Sequence, residues 1–173
     1  GGLARWGALV ERVRGAGHDV THVDLGGGLG VQYREGENPP TPEEYGAMVH
    51  RVTGNWGVTL MFEPGRVICA NAGVMVSEVI RVKAGAINPF VIVDAAMNDL
   101  ARPAMYDAWH GVAAVRPTGE RMVANVVGPV CETSDTFAMA REMDAVGPGD
   151  LLIFESAGAY GATMASTYNS RAM

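Results

Sequence analysis

The pattern of apolar residues changes near residue 70, and this switch constrains the fold more than any other feature of the chain. Before it, helix-like and strand-like runs alternate. Leu3, Trp6, Leu9, Val10 and Val13 recur at helical spacing and predict a helix to about residue 16. Residues 20–25 form a short apolar run and read as a strand that breaks into Gly26, Gly27 and Gly28. Thr41, Pro42 and Glu44 predict a helix start, with Thr41 as N-cap, Pro42 in the first helical position and Glu44 completing a capping box. That helix is expected to reach about residue 52, and a second strand follows over residues 58–62. Ligand groups placed after successive strands are the pattern of an α/β barrel or a doubly wound sheet.

After the switch the runs become short, rich in β-branched residues and separated by Gly/Pro turns such as Gly147-Pro-Gly-Asp150. Strands are expected over residues 74–83, 90–94, 111–115, 121–127 and 151–154, with one helical turn over residues 102–106. The chain therefore reads as α/β over 1–70 followed by all-β over 71–173.

Composition narrows the function. A net charge of -6 offers no basic stripe for nucleic acid. No apolar run approaches the roughly 18 residues needed to span a bilayer. The opening residues lack the pattern of a signal peptide, so a cytoplasmic protein is expected. Two cysteines are too few for a disulfide scaffold. His18, His22, His50 and His110 are scattered and show no metal-ligand spacing, so no metal site is expected.

Five segments could carry chemistry. Gly26, Gly27 and Gly28 leave backbone N–H groups approachable by a phosphate, or simply serve a tight turn; their spacing matches neither a P-loop nor a dinucleotide fingerprint. Glu63-Pro-Gly-Arg66 offers a carboxylate, a bare backbone and a guanidinium that can fork onto an anion. Glu63, expected to be partly buried, needs a cationic partner, either a protonated ring nitrogen or Arg66. Arg102 and Tyr106 are four apart on the expected helical turn, where they could converge on one anion or be an ordinary exposed arginine and a half-buried tyrosine. Cys131 and Glu132 are adjacent after a strand, and Cys131 is either a proton donor or a buried apolar cysteine. Cys69, in an alternating apolar stretch, takes the buried reading. Tyr160 lies among glycines, where it could reach a ligand or cover the core.

In this order these segments resemble the diaminopimelate decarboxylase family of fold-type III pyridoxal-phosphate enzymes. The resemblance rests on His22-Val-Asp-Leu-Gly-Gly-Gly-Leu-Gly30, Glu63-Pro-Gly-Arg66, Val93-Asp-Ala-Ala-Met-Asn-Asp-Leu100, Gly128-Pro-Val-Cys-Glu132 and Tyr168-Asn-Ser-Arg171. It implies the end of a (β/α)8 barrel followed by a β-barrel or sandwich domain. It also implies roles for individual residues. Gly26, Gly27, Gly28 and Gly65 would bind the phosphate of pyridoxal 5'-phosphate, and Glu63 would keep its ring nitrogen protonated. Arg66, which would also contact the cofactor, would bind substrate carboxylate together with Arg102 and Tyr106, and Glu132 the distal ammonium. Cys131 would donate the proton that replaces carbon dioxide, and Tyr160 would contact cofactor and substrate. The implied assembly is a homodimer in which the Cys131–Glu132 pair completes the partner's site.

Related ornithine and arginine decarboxylases typically carry Asp after the cysteine and lack the segment from Asn98 to Tyr106. The resemblance thus favours a diamino diacid in the lysine biosynthetic step over ornithine, arginine or carboxynorspermidine. One departure stands out. The family attaches its cofactor to a lysine on an early barrel strand, whereas the single lysine here, Lys83, lies on an expected strand of the β segment. The chain accordingly reads as a C-terminal piece of a longer enzyme, cut at both ends and inactive alone. A non-catalytic homologue that binds a partner is the reading from another class.

Overall fold

The computed structural model describes residues 2–172. The chain forms two compact units, one of residues 1–31 and 38–67, the other of residues 32–37 and 68–173.

The first unit begins with helix α1 (Gly2–Gly15), continues through strand β1 (His22–Asp24) and helix α2 (Pro42–Thr53), and reaches strand β2 (Thr59–Met61). β1 and β2 pair in parallel, Val23 opposite Leu60. Both strands are shorter than their apolar runs suggest. The predicted capping box is present: Glu44 N–H donates to Thr41 Oγ1 at 3.2 Å, and Thr41 N–H donates to the Glu44 carboxylate at 2.9 Å. Val10, Val23 and Trp56 form the small core of this unit. Trp6 and Leu9 share the helical spacing of Val10 but lie exposed. Arg14 closes the back of the unit by donating to the carbonyls of Val20 and Trp56, each at 2.7 Å. A further helix, α3 (Gly65–Cys69), follows β2. It begins inside Glu63-Pro-Gly-Arg66, at Gly65.

The second unit is built on a six-stranded sheet. Its strands are β3 (Met75–Lys83), β4 (Phe90–Val93), β5 (Val112–Ala114), β6 (Arg121–Val127), β7 (Thr136–Asp144) and β8 (Leu151–Phe154), in the order β5-β8-β3-β4-β6-β7. All pairs are antiparallel except β4 with β6, which the intervening helix α4 (Arg102–Tyr106) and β5 allow to run parallel. Alternation sets the core face: Ser77 and Val79 of β3 point in while Val76, Glu78 and Ile80 point out. Val79, Val91, Val93, Val126, Met143 and Phe154 are completely buried at its centre.

β7 is the strand that the sequence hides. Phe137-Ala-Met-Ala-Arg has few β-branched residues, and its alternation is broken by a bulge. Ala140 lies there with φ of 44°, its N–H donating to Asn125 Oδ1 at 2.8 Å, while the register shifts between Ala124 and Val126. No helix among the described residues is long and apolar enough to cross a membrane.

Candidate functional site

In the first unit, the loops that follow the two parallel strands are tied together by main chain. Leu25 N–H donates to the Met61 carbonyl at 3.0 Å, and Glu63 N–H donates to the Gly26 carbonyl at 2.9 Å. Asp24 turns the glycine loop by accepting the Gly26 N–H at 2.7 Å. Gly26 and Gly28 have φ of 70° and 95°, values that glycine adopts without the steric cost of a Cβ. A Cβ on Gly26, Gly28 or Gly65 would meet no atom within 4 Å, so their faces are open. Gly27 differs. A Cβ there would collide with the Glu63 carbonyl oxygen, so this glycine allows one loop to approach the other. Two adjoining loops with open glycine faces fit a phosphate group, with the Gly26 N–H already engaged by Asp24 and the Gly65 N–H by the Glu63 carbonyl at 2.8 Å. Glu63 is exposed, contrary to the partial burial expected of a residue at a strand end, and Arg66 is half-buried.

In the second unit, Arg102 opens α4 and is only 7% exposed. Its guanidinium carbon lies 4.5 Å from the Tyr33 ring centre and 5.8 Å from that of Tyr160. Its Nη1 is 3.0 Å from His110 Nε2. No carboxylate among the described residues pairs with it. A desolvated cation without a carboxylate is costly unless an anion completes it, and such a site selects a carboxylate or phosphate. Tyr106, at the other end of the same helical turn, is 65% exposed and so is not the half-buried tyrosine of the alternative reading. The reading of Arg102 as an ordinary exposed arginine is overturned by its burial. Tyr160 has φ of 69°, left-handed for a non-glycine residue. Its neighbour Gly158 lies so near the Cys69 carbonyl that a Cβ would collide with it.

Cys131 and Glu132 lie exposed on the loop between β6 and β7, and both cysteines are free. Cys69 is exposed as well, which overturns its buried reading. The loop is anchored by Asp135, which is buried and accepts N–H groups from Val130 at 2.7 Å and from Met97 at 2.6 Å. Burial pushes the Asp135 carboxyl above its usual range, against the pull of those two N–H groups. Gly128 is required beneath it, since a Cβ there would strike the carboxylate. Asn98, also buried, donates from Nδ2 to the Ser166 carbonyl at 2.9 Å and the Tyr168 carbonyl at 2.8 Å. The Tyr168 hydroxyl in turn donates to Glu132 at 3.2 Å, and this carboxylate holds the phenol above its ordinary value. Arg171 completes the join by donating to the Asp94 carbonyl and the Asp99 carboxylate. The segments around Asn98, Cys131 and Tyr168 are thus one side-chain network.

Sequence reading missed Tyr33, His110, Asp135 and Arg141. None lies in a local pattern that marks it, and each gains its place through contacts distant in sequence.

Residues 20–158 match the family model described as the C-terminal sheet domain of pyridoxal-dependent decarboxylases. A diaminopimelate decarboxylase of Zymomonas mobilis is 54% identical over 164 residues, covering 94% of this chain and 39% of that protein. One from Vibrio cholerae is 48% identical over 166 residues, 95% of this chain and 39% of its own. The crystal structure of the Helicobacter pylori diaminopimelate decarboxylase complexed with L-lysine superposes with a TM-score of 0.89 at 38% identity. It covers 98% of this chain and 42% of that one.

Proposed function

This chain belongs to the pyridoxal-dependent decarboxylases, and from that premise we propose that the protein carrying it converts meso-2,6-diaminopimelate to L-lysine and carbon dioxide. The observation that carries the reading is the buried Arg102 guanidinium, which lies against Tyr33 and Tyr160 with no carboxylate among the described residues to pair with it. Such a seat recognises the carboxylate that diaminopimelate has and ornithine lacks. Names and identities of the relatives support the same substrate.

Pyridoxal 5'-phosphate, when bound, supplies the electron sink for the bonding pair that the departing carboxylate leaves behind. Gly26, Gly27, Gly28 and Gly65 form the bed for its phosphate, and Glu63 holds a proton at the ring nitrogen. Arg66, Arg102 and Tyr106 take substrate carboxylate, Arg102 from a buried position and Tyr106 from an exposed one. Glu132 receives the distal ammonium, and Cys131 delivers the proton to the carbon that has lost its carboxylate. Tyr160, beside Arg102, contacts both cofactor and substrate. In the proposed homodimer the exposed Cys131–Glu132 loop serves the partner's site. Lys83 is exposed at the end of β3, opposite Phe90 on β4, and lies in none of these loops. The lysine that carries the cofactor is proposed to lie outside residues 1–173, so the chain alone should release no carbon dioxide.

The test compares kcat/KM for meso-2,6-diaminopimelate and L-ornithine in the holoenzyme. A site built to hydrogen-bond a carboxylate should favour the diacid by at least about a hundredfold, and Glu132→Asp should narrow the ratio. A preference for L-ornithine would instead assign a related decarboxylase.

A further inference from the structure

We propose that His110 is a positioning residue for Arg102, a neutral acceptor that fixes the guanidinium without cancelling the charge an anionic substrate needs. The inference rests on the reading of Arg102 as the carboxylate seat. Its ground is the hydrogen-bond chemistry of a fully enclosed ring. Arginine can only donate, so the 3.0 Å contact from Arg102 Nη1 requires a bare, accepting Nε2. A carbonyl oxygen can only accept, so the 2.8 Å contact with Glu155 requires the proton on Nδ1. The two partners together specify one tautomer.

The ring is held on further sides. Tyr33 meets it edge-on at 5.5 Å, and the same Tyr33 ring lies under the Arg102 guanidinium. The His110 carbonyl accepts from Arg141 Nη1 at 2.7 Å, and that guanidinium lies over the Trp109 ring at 4.3 Å. The charged groups facing His110 are Arg102 from α4 and Arg141 from β7; Arg34 acts on Arg141, and the Glu155 carboxylate lies beside Gly111. Burial and the two guanidiniums hold the ring below its ordinary pKa. A carboxylate at this position would hold Arg102 equally well but would neutralise it and compete with the substrate. An apolar residue would fill the space and leave the guanidinium unanchored.

The first measurement is the nitrogen-15 spectrum of the His110 ring in the full 173-residue chain. A neutral ring protonated at Nδ1 at pH 7 is expected; a proton on Nε2, or an imidazolium, overturns the proposal whatever the variants do. The second is a KM-against-kcat comparison in the holoenzyme with meso-2,6-diaminopimelate. His110→Ala should raise KM by about tenfold to a hundredfold, the range for a hydrogen bond to a charged group, with kcat changed less than about threefold. His110→Gln, which can donate to the carbonyl and accept from Arg102, should recover most of the loss. Equal KM values for wild type and His110→Ala, or equal losses for Ala and Gln, overturn the proposal. Arg102→Lys separates the two levels. If it raises KM while His110→Ala does not, only this inference falls; if neither does, the substrate reading falls with it.

Discussion

The two units hold their candidate functional groups by different means. In the first, the glycine loop and the Glu63 loop are joined through main chain, by Glu63 N–H to Gly26 O and Leu25 N–H to Met61 O, and the close approach is possible because Gly27 has no side chain. In the second, buried side chains do the joining across long spans of sequence. Asp135 ties the Cys131 loop to Met97, Asn98 ties that segment to Tyr168, and His110 ties α4 to the end of β8. A main-chain site tolerates many side chains but few changes of backbone. A side-chain network tolerates the reverse.

The largest effect should follow from Asp135→Ala. It removes one acceptor from two N–H groups at once, and leaving buried donors unpaired costs about 1–3 kcal/mol each. Amide exchange should show a loss of about 3 kcal/mol confined to the second unit; undiminished protection at Met97 and Val130 would break the contrast. Gly27→Ala is the counterpart in the first unit. Forcing a methyl against the Glu63 carbonyl should cost about 1–3 kcal/mol, read as faster exchange in residues 22–26 and 59–65 with the six-stranded sheet unchanged. Equal effects for Gly27→Ala and Gly46→Ala would show that the close approach is not what requires glycine.

How much of this was legible follows the same division. The glycine loop, Glu63-Pro-Gly-Arg66 and the α2 capping box are local, and sequence reading located each. Their backbone conformations depend on glycine and proline at fixed offsets. The strands of the second unit were found wherever β-branched alternation marks them, and β7 was missed because its bulge at Ala140 breaks the period. Asn98, Cys131 and Tyr168 were visible as motifs, but nothing local shows that Asp135 and Asn98 knit them together. Spacing of four residues gives Arg102 and Tyr106 a shared helical face but not the depth at which each end of α4 sits, Arg102 being buried and Tyr106 exposed.

A smaller effect should appear in the pH dependence of stability. His110 is held below its ordinary pKa in the fold, so below pH 6.5 the unfolded chain takes up the proton first. The stability that this group contributes is present above pH 6.5 and is lost as pH falls through the folded value, with a slope of no more than about 1.4 kcal/mol per pH unit. Thermal melts of wild type and His110→Gln should diverge in that acid window alone; parallel curves would contradict the buried neutral ring. The smallest effect is expected from Thr41→Ala, which removes the N-cap of α2 and should cost about 1 kcal/mol in the first unit. Hydrogen exchange in α2 reads it, and an unchanged helix would mean that packing alone holds this end.

The proposal that these residues select the substrate of a diaminopimelate decarboxylase is tested by replacing the matched 164-residue segment of the Zymomonas mobilis enzyme with this chain and measuring carbon dioxide release from meso-2,6-diaminopimelate. Turnover by the chimaera is expected, with its loss in the Cys131→Ala form and none from the 173-residue chain alone. A well-folded, cofactor-loaded chimaera that releases no carbon dioxide, or that favours L-ornithine, would contradict it.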